Sequence, residues 1–358
     1  HRNPRTNIKE PQDSWDFWTM TPESLHQVTI NMSDRGIPAS YRHMHGFGSH
    51  TFSMINAQNE RVWVKYHFLT QQGIKCLSEE EAREMIKVDR DSAHRDLFES
   101  IERGDYPRWN MYIQVMTEEQ ARNHYENPFD ITKVWRHGEF PLIKVGVLEL
   151  NRNPENYFQD VEQAAFTPAN IIPGVGFSPD KLLQGRLLSY GDAHRYRLGI
   201  NYRQIPVNMT KCPMHVLHRD GQMRLDGNNG PGVSFAPNSL GVWADHPDVR
   251  EPPLEIQGAM AAYEPKDDAT DDCFKYPGLL YRLLAPDKRT IIITNTVSNL
   301  EKVSQNIQYR HAAHCYLADQ EYGTRIANGL GLDTDRMIEL SKMTHEQRME
   351  ATMLTKKP

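Results

Sequence analysis

Alternating apolar and polar positions predict antiparallel strands in the first 150 residues of the chain. Residues 49–57 and 61–68 flank a short polar turn, as in a β-hairpin. Residues 109–115 and 141–150 read as two further strands. These segments together predict a sheet, and one face of its second strand would carry Val62, Val64, Tyr66 and Phe68.

Start and stop signals predict helices between the strands. Capping boxes begin at Ser78 and Thr117, and the first of these helices runs to about residue 88. Another helix begins at residue 91 or 92 and ends at Gly104, because glycine favours helix termination. The sheet is therefore expected to carry helical insertions.

Helical patterns return after about residue 270. Ser298 and Glu301 have the spacing of a capping box, which predicts that a helix begins there. A last helix is predicted over residues 334–353. The apolar positions that would share one face of the helix after Ser298 are Leu300, Val303 and Ile307.

The chain from about residue 152 to 265 has little periodicity and is rich in Asn, Pro and Gly. Such a long stretch usually lies over another subunit or is disordered. Its aromatic residues argue against disorder: Tyr157, Phe158, Phe166, Tyr202, Phe235 and Trp243. One short helix is predicted inside it, opened by Ser178 and Pro179 and stopped near Gly191.

These patterns predict an α+β fold with three regions. Residues 1–150 would hold a lead-in and strands with helical insertions. Residues 151–268 would form an irregular arm that includes the short helix, and residues 269–358 a helical domain.

Composition excludes some classes of protein. The 358 residues include 41 basic and 47 acidic side chains, so the net charge is 41 − 47 = −6. Because no Lys/Arg run occurs, we expect no nucleic-acid partner. No apolar run approaches the length of a membrane span and no secretory signal is recognised, so we expect a cytoplasmic protein without a membrane partner.

Three further signals are interpreted as ordinary structure. The four cysteines have no metal-binding spacing and are expected to be reduced thiols. Asn208 begins a glycosylation sequon that a cytoplasmic chain would not use. His311, His314 and Cys315 share a helical face, and a surface histidine pair is favoured there over a metal site.

Arg186 and Tyr190 carry the most informative chemistry. They are four residues apart and therefore lie on one face of the predicted helix. A guanidinium beside a phenol favours the phenolate, and a phenolate is a suitable axial ligand for ferric haem iron. By spacing alone a packed helix tyrosine is the more frequent outcome, so the surrounding sequence decides between the two interpretations.

Recognisable segments occur in order along nearly the whole chain. They are Arg2-Asn3-Pro4, Trp15-Asp16-Phe17-Trp18, Ser24-Leu25-His26-Gln27-Val28, Ser33-Asp34-Arg35-Gly36-Ile37-Pro38, Arg42-His43-Met44-His45-Gly46-Phe47-Gly48-Ser49-His50-Thr51-Phe52, Tyr112-Ile113-Gln114-Val115-Met116, Asn127-Pro128-Phe129-Asp130, Lys133-Val134-Trp135, Leu150-Asn151-Arg152-Asn153-Pro154 and Gln204-Ile205-Pro206-Val207-Asn208. Together with Arg186 and Tyr190, they resemble the haem-containing monofunctional catalases of the typical small-subunit type.

The resemblance implies the fold and the assembly. The first region would hold the later strands of an antiparallel catalase β-barrel, and the irregular arm would wrap between the subunits of a homotetramer.

The resemblance also implies a haem site. Tyr190 would be the axial iron ligand, supported by Arg186, Asp180 and His50, with Asp180 holding Arg186. Arg197 would meet a haem propionate. The other residues implied to line the haem are His194, Ala193, Ser189, Leu182, Phe166, Ile131 and Ser49. Haem b is the expected cofactor, and these residues do not distinguish it from the modified d form.

An NADPH site is a further implication, because many small catalases hold this nucleotide. The matching positions are His26, Ser33, Arg35, Trp135 and His137. Two positions depart from the family pattern: His45 stands where the nucleotide binders often have Asn, and Leu69 where they have Lys. The alternative is that these residues simply pack or face solvent.

The distal half of a catalase site is not recognised in the chain. Family motifs such as V-V-H-A-K-G and N-N-T-P, which carry the distal His and Asn, do not occur. Either the parent protein is longer, or the chain is a proximal half that needs a partner. The expected function is disproportionation of hydrogen peroxide to water and oxygen; the alternatives are a catalytically incompetent haem-binding remnant and an enzyme acting on organic hydroperoxides.

Overall fold

The computed structural model describes residues 2–211, 219–242, 250–254 and 271–354. Its strands are β1 (Gly46–Ile55), β2 (Arg61–Thr70), β3 (Arg108–Thr117), β4 (Ile143–Glu149) and β5 (Val175–Gly176). Its α-helices are α1 (Pro11–Met20), α2 (Leu25–Met32), α3 (Glu79–Val88), α4 (Ser92–Glu102), α5 (Glu118–Asn123), α6 (Lys181–Leu198), α7 (Lys275–Leu283), α8 (Pro286–Leu300), α9 (Gln305–Ala318), α10 (Gln320–Gly329), α11 (Thr334–Ser341) and α12 (His345–Ala351). The chain is therefore α+β, as predicted.

The chain forms two compact units that are each built from separate stretches of sequence. One, the helical unit, comprises His1–Met44, Gln72–Leu97 and Ala259–Pro358. The other, the sheet unit, comprises His45–Gln71 and Phe98–Gly258. The predicted division at residues 150 and 268 follows changes of pattern along the sequence, whereas these units follow contacts in space. That division remains a prediction.

The sheet unit is built on an antiparallel sheet with the strand order β4-β3-β2-β1-β5. The predicted hairpin and the two later strands are all present. Both faces of β2 are covered in part, because Val64 on the predicted apolar face and Trp63 and Lys65 on the other face are all buried. Trp63 packs there in a cluster with Met116, Trp135 and Phe140.

A bulge interrupts the pairing of β1 with β2. Gly48 pairs with Tyr66 and Phe52 pairs with Val64, so three residues of β1 lie opposite the single Lys65 of β2. Those three residues are Ser49, His50 and Thr51. Bulges bend a strand and redirect its side chains, and they are frequent beside functional sites.

Helices α3, α4 and α5 confirm the predicted start signals. The Ser78 hydroxyl accepts a hydrogen bond from the Glu81 amide, and the Glu81 carboxylate accepts one from the Ser78 amide. Thr117 and Gln120 make the same reciprocal pair at the start of α5. Local sequence is sufficient for these helix starts because both partners lie within one turn.

The helical unit differs from its sequence prediction in two places. Ser298 lies inside the last turn of α8, and α9 begins only after Ser304. Helix α8 begins at Pro286 and continues through the predicted start to Leu300. The last predicted helix is two helices, because Thr344 and Gln347 form a capping box that begins α12.

The core of the helical unit surrounds α9. His311, His314 and Cys315 are all buried, so the predicted surface histidine pair is wrong. Cys76, Cys273 and Cys315 are free cysteines, as expected, and Cys212 lies outside the described residues. The predicted grouping of Leu300, Val303 and Ile307 is present as one apolar cluster with Trp15 and Val28.

Helix α6 is longer than predicted. Its N-cap is Asp180, it passes through Gly191, and it ends at Leu198. An interior glycine costs a helix only about 1 kcal/mol, so Gly191 weakens α6 without ending it. Gly199 ends it instead, with a φ of 108° that glycine adopts most readily.

Candidate functional site

The candidate site is built on α6 and on the neighbouring strand β1. The Asp180 side chain caps α6 by accepting a hydrogen bond from the Leu183 amide at 3.0 Å. The Ser178 hydroxyl donates to the carbonyl of Thr51 on β1. The start of α6 is therefore tied to the bulged part of β1.

His50 and Asp180 form a buried pair beneath the start of α6. The His50 Nδ1 lies 2.7 Å from the Asp180 carboxylate, and both side chains are almost inaccessible to solvent. Since a carboxylate accepts, the His50 ring donates at Nδ1. The β1 bulge supplies His50 and the helix N-cap supplies Asp180, so the structure brings these two predicted site residues together.

Arg186 and Tyr190 meet as the helical spacing predicts. The Arg186 Nη2 donates to the Tyr190 hydroxyl at 3.0 Å. The guanidinium carbon also lies 4.9 Å from the centre of the Tyr190 ring. Two contacts thus place the positive charge of the guanidinium beside the phenol oxygen and over its ring.

The expected contact between Asp180 and Arg186 is not made. Among the residues that the structure describes, the oxygens of Asp180 bind the His50 ring and the Leu183 amide. Arg186 instead extends along α6 toward Tyr190. The physical reason is that both oxygens of Asp180 are already engaged, one by the Leu183 amide in the first turn of α6 and the other by the His50 ring.

A stripe of α6 beside this pair faces solvent. Leu182, Ser189 and Ala193 are exposed, and the exposed fraction of Leu182 is 52%. Phe166 is 84% exposed. Exposed apolar side chains grouped around a hydroxyl group, here that of Tyr190, are typical of a ligand-binding face. Of the other residues implied to line the haem, Ser49 is exposed and Ile131 is half-buried.

His194 and Arg197 hold the segment before α6. The His194 ring is buried, and its Nε2 donates to the carbonyl of Phe166 at 2.8 Å. The guanidinium of Arg197 donates to the carbonyls of Glu162 and Ala164 at 2.9 and 2.8 Å. Arg197 therefore fixes this segment with two hydrogen bonds, and a guanidinium has five N–H donors in all.

The residues that match the NADPH pattern are divided between the two units. In the helical unit Ser33 is buried, Arg35 is exposed, and burial lowers the pKa of His26. In the sheet unit the Trp135 ring is buried with its Nε1 donating to the Pro128 carbonyl at 3.1 Å, and His137 is exposed.

Sequence reasoning missed Lys65. Its side chain is only 7% exposed, although a strand lysine normally faces solvent. Its Nζ donates to the carbonyl of Lys133 at 3.4 Å and lies 5.3 Å from the centre of the Trp135 ring. Its signal in the sequence is weak, because β2 contains other polar residues and nothing local marks Lys65 as buried.

The donor set suits a prosthetic group better than a bare metal ion. Within the described ranges, no three His, Cys, Asp or Glu side chains are grouped so as to hold a metal. Tyr190 offers a single oxygen donor beside the guanidinium of Arg186. An iron held there needs its remaining ligands from a macrocycle, which is what haem supplies. None of the helices in the described ranges has both the length and the apolar character needed to cross a membrane.

Comparison with protein-family models gives two matches. Residues 1–242 match the model described as catalase, and residues 267–330 match the one described as catalase-related immune-responsive. The first match covers more than half of the chain.

Curated relatives and solved structures agree with the family models. The chain is 59% identical over 340 residues to catalases of Staphylococcus aureus strains USA300 and NCTC 8325, covering 93% of this chain and 66% of each relative. The match thus spans slightly less than two thirds of the length of these proteins. A fungal catalase structure is 39% identical, with a TM-score of 0.84, over 92% of this chain and 67% of its own. The structure of catalase A from Saccharomyces cerevisiae is 38% identical, with a TM-score of 0.84. The match covers 92% of this chain and 69% of the yeast chain. These matches show that the chain belongs to the catalase family.

Proposed function

We propose that this chain is the proximal, haem-binding part of an enzyme that converts hydrogen peroxide to water and oxygen. The observation that carries the proposal is the hydrogen bond from Arg186 to the Tyr190 hydroxyl on an exposed stripe of α6. Membership of the catalase family supports the same reaction. Haem b is the proposed cofactor, with Tyr190 as the axial ligand of its iron.

The surroundings of Tyr190 support a flat apolar ligand with carboxylate groups. Leu182 and Phe166 offer exposed apolar surface, which a macrocycle would remove from water at about 25 cal/mol per Å². Ser49, Ile131, Ser189 and Ala193 are proposed to line the same ligand. Arg197 is the proposed partner of a propionate, through donors beyond those given to Glu162 and Ala164.

The residues of this chain have distinct proposed roles. Arg186 donates to the Tyr190 oxygen and holds it in place, and the pair formed by His50 and Asp180 fixes the start of α6 so that Tyr190 keeps its position. Haem iron, when bound, supplies the redox centre. In the overall reaction one peroxide is reduced to two waters and a second is oxidised to oxygen, so two molecules of H₂O₂ give two of H₂O and one of O₂.

The remaining expectations follow from family membership. We infer that the sheet corresponds to the later strands of a catalase barrel, followed by an arm and a helical domain near the boundaries 150 and 268. A homotetrameric assembly and a cytoplasmic location are proposed for the same reason. An NADPH site at His26, Ser33, Arg35, Trp135 and His137 is a weaker proposal, because His45 and Leu69 depart from the family pattern.

The test compares two tyrosine variants of one helix. Tyr190→Phe removes the proposed ligand, and Tyr196→Phe makes the same change at a side chain that is 91% exposed. Each variant and the unchanged chain are titrated with ferric haem, and the absorption spectrum is recorded. We expect Tyr190→Phe to lose stable ferric haem binding or to change its spectrum, while Tyr196→Phe keeps the spectrum of the unchanged chain. An unaltered spectrum in Tyr190→Phe contradicts the proposed ligand.

A further inference from the structure

The sheet unit contains a histidine that the proposed haem site does not use. His67 lies on β2, and its Nε2 is 2.9 Å from the Oε1 of Gln114 on β3. The amide nitrogen of Gln114 donates to the carbonyls of Trp135 and Phe140, so the amide oxygen is the atom that faces His67. Because a carbonyl oxygen only accepts, the Nε2 of His67 carries a proton and donates it. The hydrogen bonds of Gln114 therefore fix the tautomer of His67.

The other ring nitrogen of His67 is an acceptor without a partner. Its Nδ1 is buried, and none of the described residues forms a hydrogen bond with it. Burial lowers the pKa of His67, the hydrogen bond to Gln114 acts in the opposite direction, and the nearby His137 and Lys65 lower the pKa further. At neutral pH Nδ1 therefore keeps its lone pair. A buried polar atom left unsatisfied costs about 1–3 kcal/mol, which a ligand at Nδ1 would recover.

A second histidine lies against this ring. His137 is exposed, and its ring centre is 5.8 Å from that of His67, with an angle of 82° between the ring planes. Trp135, which is buried in the cluster with Trp63, anchors the segment that carries His137. Two imidazoles that each bind one metal ion at about 2.1 Å have ring centres roughly 5–6 Å apart. The observed separation is therefore one at which a single ion can be shared.

The surroundings of the pair select the type of ion. Within the described ranges no third histidine, cysteine or carboxylate joins His67 and His137 in a group that could hold a metal. Mg²⁺ and Ca²⁺ need oxygen ligands, whereas imidazole nitrogens suit Zn²⁺, Cu²⁺ and Ni²⁺. The ring of Phe47 packs edge-on against His67, with 5.8 Å between ring centres, and forms an apolar wall. Two imidazoles therefore favour a transition-metal ion whose other ligands are water.

We propose that His67 and His137 bind a divalent transition-metal ion, of which Zn²⁺ is the representative, with water completing its coordination. Gln114 holds the proton on the opposite nitrogen of His67, the arrangement that orients most histidine ligands of metals. A bound ion would join the segment after Trp135 to β2. The inference goes beyond the proposed function and needs no haem.

The first test measures affinity. The full 358-residue chain is titrated with Zn²⁺ in a calorimeter, and Mg²⁺ is the comparison ion. His137→Ala removes one ligand at an exposed position, and His67→Phe replaces the other by a ring without a nitrogen. His94→Ala is the matched control, since it removes an exposed histidine of the helical unit. We expect both ligand variants to weaken the tightest Zn²⁺ binding at least about tenfold, and His94→Ala to leave it unchanged.

The second test separates direct ligation from an indirect effect of the substitutions. The chain is labelled with ¹⁵N-histidine, and the ring signals of His67 are assigned by their loss in His67→Phe. We expect saturating Zn²⁺ to shift the Nδ1 signal of His67, while its Nε2 keeps the proton given to Gln114. Saturating Mg²⁺ should leave both signals in place, because a hard cation gains nothing from an imidazole nitrogen.

The outcomes distinguish this proposal from that of the haem ligand. Unaltered Zn²⁺ affinity in His137→Ala, or an equal loss in His94→Ala, overturns the metal site, as does an Nδ1 signal of His67 that Zn²⁺ does not move. If His67→Phe does not fold, the comparison of His137→Ala with His94→Ala still decides, because both positions are exposed. Failure of Tyr190→Phe to alter the haem spectrum would contradict the ligand proposal and leave Zn²⁺ binding as expected.

Discussion

Asp180 has two tasks in this molecule. One carboxylate oxygen accepts from the Leu183 amide and caps α6, and the other accepts from the His50 ring. The two tasks make different demands, because a helix cap needs only a short polar side chain, whereas the His50 partner benefits from a full negative charge. Substitutions at this position can therefore separate them.

We predict that Asp180→Asn destabilises the chain less than Asp180→Ala. Asparagine is as good an N-cap as aspartate, and its one oxygen can keep the cap. Its NH₂ group cannot accept from the His50 ring, so Asp180→Asn loses only that hydrogen bond, at a cost of about 2 kcal/mol in the free energy of unfolding. Asp180→Ala also loses the cap, which adds about 1 kcal/mol. Urea unfolding followed by circular dichroism measures both values.

The control for these variants is Asp192→Asn on the exposed side of α6. It makes the same chemical change in the same helix, and its free energy of unfolding should stay within about 0.5 kcal/mol of the unchanged chain. Equal losses from Asp180→Asn and Asp180→Ala would mean that the cap contributes nothing.

The sequence predicted the residue contacts that depend on local geometry. Arg186 and Tyr190 meet because four-residue spacing on a helix leaves little freedom. The contact between His50 and Asp180, 130 residues apart, came from the resemblance alone. Lys65 was missed because its burial depends on Trp135 and Lys133, which lie far away in the sequence.

At the scale of elements, α9 is the helix whose polar residues are most deeply buried. His311 packs edge-on against Trp15, with 4.9 Å between ring centres, and its Nε2 lies 3.4 Å from the Cys315 sulfur. His314 is buried beside Phe274, and its Nε2 has no hydrogen-bond partner among the described residues. Burial lowers the pKa of both histidines, that of His311 to about 4.

We predict that the helical unit loses stability in mild acid because of these histidines. An unfolded histidine binds a proton near pH 6.5, whereas folded His311 resists it until about pH 4. The unfolded state therefore holds more protons between these values, so stability is complete above pH 6.5 and falls as the pH is lowered. The loss from His311 alone is roughly 3 kcal/mol by pH 4.

The measurement compares His311→Asn with the unchanged chain in urea at several pH values. At neutral pH the variant should be the less stable, because it loses packing against Trp15. That difference should shrink as the pH falls, since asparagine takes up no proton. His137→Asn, at an exposed position, is the control and should run parallel to the unchanged chain. Parallel curves for His311→Asn would contradict the prediction.

Elements were predicted well where start signals and periodicity agree, as at α3, α5 and the β1–β2 hairpin. They were predicted poorly where a signal stands alone. Ser298 has the spacing of a capping box, but it lies inside α8, which continues to Leu300. Gly191 is a weak stop signal, and α6 continues through it. Tertiary packing overrides such isolated signals because each is worth only about 1 kcal/mol.

At the scale of the whole molecule, part of the irregular arm is ordered by its own polar side chains. The Asn208 amide donates to the carbonyls of Gln163 and Tyr202, and its oxygen accepts from the Ala165 amide. Arg197 adds two bonds to carbonyls of the same segment. The aromatic residues of the arm predicted that it is ordered, and its wrapping between subunits remains a proposal. The bonds of Asn208 could not be predicted, because a hydrogen bond across 45 residues leaves no periodic signal.

Two family motifs that are absent from the sequence lead to a prediction about activity. The 358 residues contain neither the V-V-H-A-K-G nor the N-N-T-P motif, which carry the distal His and Asn in the family. Each residue that we assign to the haem would hold it from one side. We assign none of them to the proton transfer between the peroxide oxygens, which commonly contributes 10²–10⁴-fold to the rate. We therefore expect the 358-residue chain to bind haem but evolve oxygen from peroxide at least about a hundredfold more slowly than the longest natural version.

An oxygen electrode measures both proteins at equal haem content, and Tyr190→Phe in the longer version serves as the inactive control. Equal rates would mean that the chain already contains the acid–base group, and absence of oxygen from both haem-loaded proteins would favour the incompetent remnant over an active catalase.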